Sequence, residues 1–297
     1  ASGSNYRGFA NSLGQRNWFA NHNFNWDWSL VHSVDKAVKS SYAGTEWSSS
    51  DFAEKMTDAK AQLKLLALPS KTLSPGAVRA YLSPVALDEI LGLVSWGGFG
   101  LASHKNKTTP LLSLLDGDDR LSEHFTLFED VVGGVAPDFQ SDGFRRPNRV
   151  SLIESGVMTG ALVSPRSAKE FAVDTTGADG GESPDSLHVL GGTLPRADVL
   201  QALDTGVYIG NLWYLNYSDR AAGRMTGMTR FATFWVENGE IVAPLNVMRF
   251  DDSVLRMLGS ELEALTVEQD LLLSASSYFN RSTASSRFAN TALASGL

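Results

Sequence analysis

The sequence predicts an α+β protein: mixed and antiparallel β-sheets with helices packed on their faces, arranged in two parts. Three observations predict this. Residues 5–47 and 206–250 carry β-branched and aromatic runs separated by turn signals. Segments beginning near Asp51 and Ser83 space their apolar residues as helices do. The 297 residues are 43% hydrophobic and 20% charged, the balance of a globular chain with room for one large domain or two ordinary ones.

In chain order, Asn11 to Gln15 is a turn between strands. Beyond it, strict alternation puts Phe24, Trp26 and Trp28 on one face. That stripe is read as a sheet face covered by a helix or a partner, in preference to a ligand platform. A third strand covers about 37–43. Asp51 and Glu54 stand at capping-box spacing, and Phe52, Met56, Ala59, Leu63 and Leu66 make one helical face. Pro69 ends that helix, so the expected division is a β-rich part, 1–70, and a larger α+β part, 71–297. A short strand before Leu82 leads to a helix with Ser83 as its cap and Pro84 at its first position, ending at Trp96-Gly97-Gly98. Residues 100–110 are expected as a polar loop, with short strands at 111–115 and 125–132 and an irregular stretch at 133–147. A hairpin around Ser155-Gly156 follows, then a short helix from Ser164-Pro165. Asp174 to Pro184, rich in Gly, Asp and Thr, is expected to be a mobile loop. A strand near 187–190 and a helix at 195–203 complete this region. Asp252 is expected to cap a last helix that buries Val254, Leu255, Leu258, Leu262 and Leu265. The Ser- and Ala-rich tail after Tyr278 is expected to need docking to be ordered.

The stretch 205–250 carries the clearest signals. Gly206-Val207-Tyr208-Ile209 opens one strand. Thr233-Phe234-Trp235-Val236-Glu237-Asn238-Gly239-Glu240-Ile241 reads as strand, Asn-Gly turn and strand, giving a hairpin over 231–249 with the 206–217 strand beside it. These residues, with Pro244 just beyond, resemble the TldD/PmbA family, long known as modulators of DNA gyrase. Family members usually carry Thr-Gly-Asp-Phe-Ser before the Phe-Trp pair. This chain has Arg224-Met225-Thr226-Gly227-Met228-Thr229-Arg230-Phe231 there, as a divergent branch would. The resemblance extends weakly over 73–265 and implies that an N-terminal segment of longer family chains is missing.

The same resemblance implies a metallopeptidase relationship without the metal. TldD-type members carry His-Glu-x-x-x-His on a helix. In this chain Asp88 and Leu93 fall in the histidine slots and Glu89 in the glutamate slot. A leucine cannot ligate a metal, so the chain resembles the PmbA type, the metal-free partner of the metallopeptidase, with no cofactor of its own. The plainer reading of Asp88 and Glu89 is a solvated helix edge. The implied function is a non-catalytic subunit that pairs with a TldD-like zinc metallopeptidase, or with itself, to mature or degrade small peptides in the cytoplasm. The alternatives are a stand-alone hydrolase with an unrecognised site and a homodimeric peptide-binding module.

The residues themselves narrow the classes. A net charge of −8 disfavours a general nucleic-acid surface. No apolar run approaches the about 20 residues of a membrane helix. Without cysteine there is neither disulfide nor thiolate chemistry. No two of His22, His32, His104, His124 and His188 lie within one helical turn. There is no Gly-x-Ser-x-Gly elbow and no phosphate loop. The adjacent pairs Asp118/Asp119 and Asp251/Asp252 read as turn and cap charges. One polar cluster is left: Asn211, Asn216, Asp219, Arg220, Arg224 and Arg230, interleaved with Trp213, Tyr214 and Tyr217. It suits binding of a peptide backbone or carboxylate, a subunit interface, or an Arg–Asp network pinning a long loop.

Overall fold

Asn11 starts the first turn. Its side-chain oxygen accepts from the N–H groups of Leu13 and Gln15, both at 3.1 Å, and Gly14 supplies a φ of 84°. The computed structural model describes residues 2–33 and 35–273, and the backbone of 285–289 and 292–295. Around that turn β1 (Ser2–Ala10), β2 (Arg16–Ser33) and β3 (Lys36–Gly44) form an antiparallel meander. Helix α1 (Ser49–Leu65) lies on β2 and β3. It buries Ala59 and Leu66, with Phe52, Met56 and Leu63 half-buried on the same face. Its cap is Ser48, not Asp51: the Ser48 hydroxyl accepts from the Asp51 N–H and donates to the Asp51 carboxylate at 2.7 Å. The Ser48 N–H donates to the Tyr42 hydroxyl at 2.9 Å instead of to Asp51, so the expected Asp51/Glu54 capping box does not form and a single serine cap takes its place. α1 covers only part of the aromatic stripe. Trp28 meets Phe52 at 5.6 Å and Phe24 meets Trp47 at 5.2 Å, while Trp26 stays exposed.

The remaining elements are β4 (Arg79–Leu82), α2 (Pro84–Ser95), α3 (Leu101–Lys105), α4 (Leu112–Asp116), β5 (Leu127–Asp130), β6 (Arg149–Glu154), β7 (Val157–Met158), α5 (Pro165–Phe171), β8 (Leu187–Val189) and α6 (Val199–Leu203). They are followed by β9 (Gly206–Asp219), β10 (Arg224–Glu237), β11 (Glu240–Pro244), β12 (Arg249–Ser253), β13 (Leu262–Leu265), β14 (Gln269–Leu273), β15 (Ser285–Ala289) and β16 (Ala292–Ser295). One mixed sheet runs β11-β10-β9-β4-β16-β13, with β12 also on β10; another runs β14-β15-β8-β5-β6-β7. Helix α2 packs on β4 and β9 of the first and on β14 of the second. Its Leu87, Ile90, Leu91 and Val94 join one core with Val207 and Ile209 of β9 and Leu127, Leu152 and Val189 of the other sheet. Among the described residues no helix is long and apolar enough to cross a membrane, which says nothing of strands.

The hairpin and its neighbouring strand form as predicted. Asn238 (φ 52°) and Gly239 (φ 79°) make the turn, and β9 pairs antiparallel with β10. Gly206 is required where β9 meets β4, since a Cβ there would stand 2.4 Å from the Arg79 carbonyl.

Four expectations are corrected. The polar loop at 100–110 contains α3. The expected strand at 111–115 is α4, a leucine turn closed by Gly117 at a left-handed φ of 81°. The last helix is cut to a short helical turn over 254–260: Asp252 lies on β12 instead of capping it, Gly259 breaks it with φ −110° and ψ −109°, and Leu262 and Leu265 lie on β13. The predicted apolar residues there are buried nonetheless, because β12 and β13 dock them on the core. The 174–184 stretch is irregular, as its composition predicts, but it is anchored by the buried Glu182 carboxylate and by Thr175. The tail after Tyr278 lies outside the described residues except for the backbone of β15 and β16.

Candidate functional site

One face of α2 is not apolar. Val85, Asp88, Glu89, Gly92 and Ser95 recur at helical spacing and line a cavity of about 820 Å³. The opposite wall comes from Asp27 and Trp28 of β2 and Lys39 of β3, and a third side from Asn211 and Trp213 of β9, Phe231 of β10 and Leu272 of β14. A smaller pocket of about 230 Å³ adjoins it, sharing Lys39, Val85 and Asn211. At its far end Lys55 and Arg196 pair with Asp270 at 3.1 and 3.2 Å, and burial pushes the Tyr208 phenol up to about 12.

Irregular strand pairing shapes this wall. Phe231 and Ala232 stand opposite the single residue Gly210, and Phe231 takes a φ of 59°. Tyr214 and Leu215 stand opposite Gly227, and Tyr214 takes a φ of 58°. Such bulges re-aim side chains, and left-handed backbone at a bulky residue is held only by its surroundings. As a result Arg230 stacks over the Trp213 ring at 4.0 Å and Lys39 over the Phe231 ring at 4.5 Å.

The residues singled out in the sequence divide among several places. Half-buried Asp88 and exposed Glu89 line the cavity together with Asn211 and Trp213, so the solvated helix edge they occupy opens onto that space. Although Glu89 is solvent-accessible, partial desolvation by its surroundings raises its pKa above the ordinary carboxylate value. Leu93 points elsewhere, half-buried against the core. Tyr214 is 72% exposed. Asn216 accepts from its neighbour's N–H, and Asp219 from the Ala222 N–H at 3.2 Å, closing the β9–β10 turn. Arg224 pairs with Asp251, whose carboxyl is held below its usual range first by the Ser218 hydroxyl and then by Arg224.

Arg220 ties this strand end to α2. It donates to the Trp96 carbonyl at 2.5 Å and the Thr108 carbonyl at 3.2 Å, and it stacks on Trp96 and Tyr217. Tyr217, its phenol pushed up to about 12 by burial, donates to the Leu93 carbonyl at 3.0 Å. Arg220→Ala is therefore expected to cost about 1 kcal/mol of stability through the lost charged hydrogen bonds and ring stacking, since water can reach the exposed Trp96 and Thr108 carbonyls. Urea titration of the isolated chain measures this; an unchanged midpoint would remove the pinning role.

The histidines do not converge. His104 lies under α2 with Nε2 2.8 Å from the Gly98 carbonyl, and burial lowers its pKa. His188 sits in the other sheet, 3.1 Å from Asp130, while His22 and His32 are on β2 and His124 is in a loop. Among the described residues no three His, Asp or Glu side chains group as metal ligands. The sequence reading missed Asp27 and Lys39 as cavity residues and took Trp28 as part of a covered sheet face in preference to a ligand platform, because only the packing of the meander on the later sheets brings them to α2.

Comparison with known proteins fits this architecture. Residues 75–294 match the family profile described as PmbA/TldA metallopeptidase C-terminal domain. The Escherichia coli O157:H7 protein named Metalloprotease PmbA is 26% identical over 204 residues, which are 68% of this chain and 42% of that protein. TldE from Thermococcus kodakarensis superposes with a TM-score of 0.79 at 17% identity, covering 99% of this chain and 66% of that one. A Thermotoga maritima protein described as a candidate modulator of a DNA gyrase gives 0.76 at 16% identity, covering 96% of this chain and 64% of that one. This chain thus spans less than half of the E. coli relative and just under two thirds of the two solved structures, whose likeness establishes the shared fold. With the profile covering well over half of its length, the chain belongs to the PmbA/TldA metallopeptidase C-terminal domain family.

Proposed function

We propose that this chain is a metal-free, substrate-gripping subunit that pairs with a TldD-type zinc metallopeptidase to process small peptides in the cytoplasm. One observation carries the reading: the cavity face of α2 offers Asp88, Glu89, Gly92 and Ser95 but no imidazole. The family's name implies a metal, and the residues here do not fit one. Zinc sites of hydrolases combine several protein ligands with an open position. Asp88 and Glu89 are adjacent on one helix, and the position that would complete the motif is Leu93, packed into the core. The name of the E. coli relative carries a metalloprotease activity; that activity would need ligands that α2 lacks. In this reading the partner supplies metal and attacking water, and this chain supplies a wall. Residues 1–70 contribute Asp27, Trp28 and Lys39 to that wall, and 71–297 the rest.

The test is elemental analysis of the dialysed chain, with peptide cleavage assayed alone and with a TldD-type partner. The expected result is no stoichiometric zinc and cleavage only with the partner. About one zinc per chain, lost on substituting two histidines, together with cleavage by the chain alone, would overturn the reading.

A further inference from the structure

We propose that the cavity beside α2 binds an ammonium or guanidinium group of a peptide: a basic side chain or a free amino terminus. The inference rests on the peptide-gripping reading and names what is gripped.

The wall carries four carboxylates, Asp27, Asp88, Glu89 and Asp185, and among the described lining residues Lys39 is the only base. The carboxylates are not equivalent. Asp185 is answered by Arg146, and Asp27 accepts from the Asn25 amide at 3.1 Å. Glu89 faces the cavity from α2 and is open to solvent there, so its carboxylate is accessible to a ligand; partial desolvation by its surroundings disfavours its charge, which a bound cation would offset. Lys39 is turned onto the Phe231 ring.

Acidic walls are common and identify nothing alone. The second observation is Asn211. It lines the same cavity, is 8% exposed, and its Oδ1 has no hydrogen-bond partner among the described residues. The buried Nε1 of Trp28, another lining residue, also lacks a partner among the described residues. A buried polar atom left unpaired is costly, so such atoms are normally satisfied by protein, water or ligand. An ammonium, guanidinium or peptide N–H satisfies Asn211, and a peptide carbonyl takes the Trp28 N–H. The cavity's volume of about 820 Å³ gives room for a long side chain and its backbone.

Calorimetric titration of the full chain with three peptides of equal length tests this. One is N-acetylated with a central lysine, one N-acetylated with norleucine there, and one carries norleucine and a free amino terminus. At least one charged peptide is expected to bind about tenfold or more tighter than the neutral one, the ratio a single charge-assisted hydrogen bond supplies. Which one does so separates side-chain from terminal recognition. Glu89→Gln is expected to erase that preference while leaving the neutral peptide's affinity, and Asn211→Ala to weaken the charged peptides. Should Asn211→Ala fail to fold, Glu89→Gln, at a cavity-facing position outside the apolar core, carries the test. Equal affinity for charged and neutral peptides would overturn the cation assignment and leave the peptide-gripping reading standing. A preference that survives Glu89→Gln would overturn this cavity as its source. No binding of any peptide would overturn both readings.

Discussion

Replacing Glu182 with alanine is expected to lower the unfolding free energy by about 2–5 kcal/mol, one of the two largest single-residue effects anticipated here. Glu182 is buried, and its carboxylate accepts from the Ala102 N–H at 2.7 Å and the Ser164 N–H at 2.9 Å. Ala102 is in the first turn of α3 and Ser164 is the cap of α5, so one side chain closes two helix starts. Its backbone is left-handed, at φ 50°, and its Cβ sits where a Cβ on Gly100 would come within 2.9 Å. Alanine keeps the unfavourable φ and strands two N–H groups; glutamine, with one acceptor oxygen, is expected to lose less.

The pH dependence follows from the same contacts. Burial works to raise the Glu182 pKa, but hydrogen bonds from Ser167, Ala102 and Ser164 outweigh it and hold the carboxyl below its ordinary value. A depressed folded-state pKa gives stability that is complete above the unfolded value and lost as pH falls through the folded one. The difference between wild type and Glu182→Ala is thus expected to be full at neutral pH and to shrink below about pH 4. Urea unfolding at several pH values checks this. Limited proteolysis adds a local readout: the variant should be nicked within 174–183 before the wild type. Equal nicking of both would mean that the loop is loose despite its anchor.

That loop shows where sequence was readable and where it was not. Its lack of helix or strand was legible from Gly, Asp and Thr. Its anchoring was not, because it depends on one glutamate meeting two helix starts about 20 and 80 residues away. The hairpin at Asn238-Gly239 was legible because its turn is a local property of two residues, and α2 because Ser83-Pro84 and its apolar spacing are local too. The failures at 111–115 and 252–265 share a cause. Short leucine-rich runs are buried in either conformation, and what decides is a neighbour: Gly117 closing α4, or β10 pairing with β12.

The site was half legible. Asp88, Glu89, Asn211 and Trp213 were singled out on chemistry and resemblance, and the fold places all four on one cavity. Arg220 and Arg224 were grouped with them only because they are near in sequence. Three register shifts in β9–β10 send the two arginines away from it, toward α2's end and Asp251. The meander's Asp27 and Lys39 carry no local mark, and Trp28 is marked only by an aromatic alternation that fits a covered sheet face equally well.

Glu129→Gln is expected to remove the other large effect, a loss of stability of about 2–3 kcal/mol between roughly pH 5 and 8 in the wild type. Glu129 is buried on β5, and its carboxylate accepts from the Asp185 N–H at 3.0 Å and the Ser186 N–H at 3.1 Å. Burial nevertheless dominates, helped by the Asp185 charge, and pushes its pKa up to about 7, against the two hydrogen bonds and Arg146. The sign is opposite to that of Glu182. The folded state binds this proton more tightly than the unfolded one, so the group's contribution is most favourable below its unfolded value near 4.5. It weakens as pH rises through that value and reaches its full penalty above about 7. Glutamine cannot ionise, yet its oxygen can still accept from Ser186, so the variant should lack this slope while keeping the fold. Groups other than residue 129 are the same in both proteins and largely cancel in the difference. Denaturant unfolding of both proteins across this range decides the matter: a difference that stays flat with pH would mean that Glu129 is ionised in the folded protein at neutral pH. If the slope appears, the backbone of Asp185, which lines the cavity, is held at neutral pH by a carboxyl close to its own titration point.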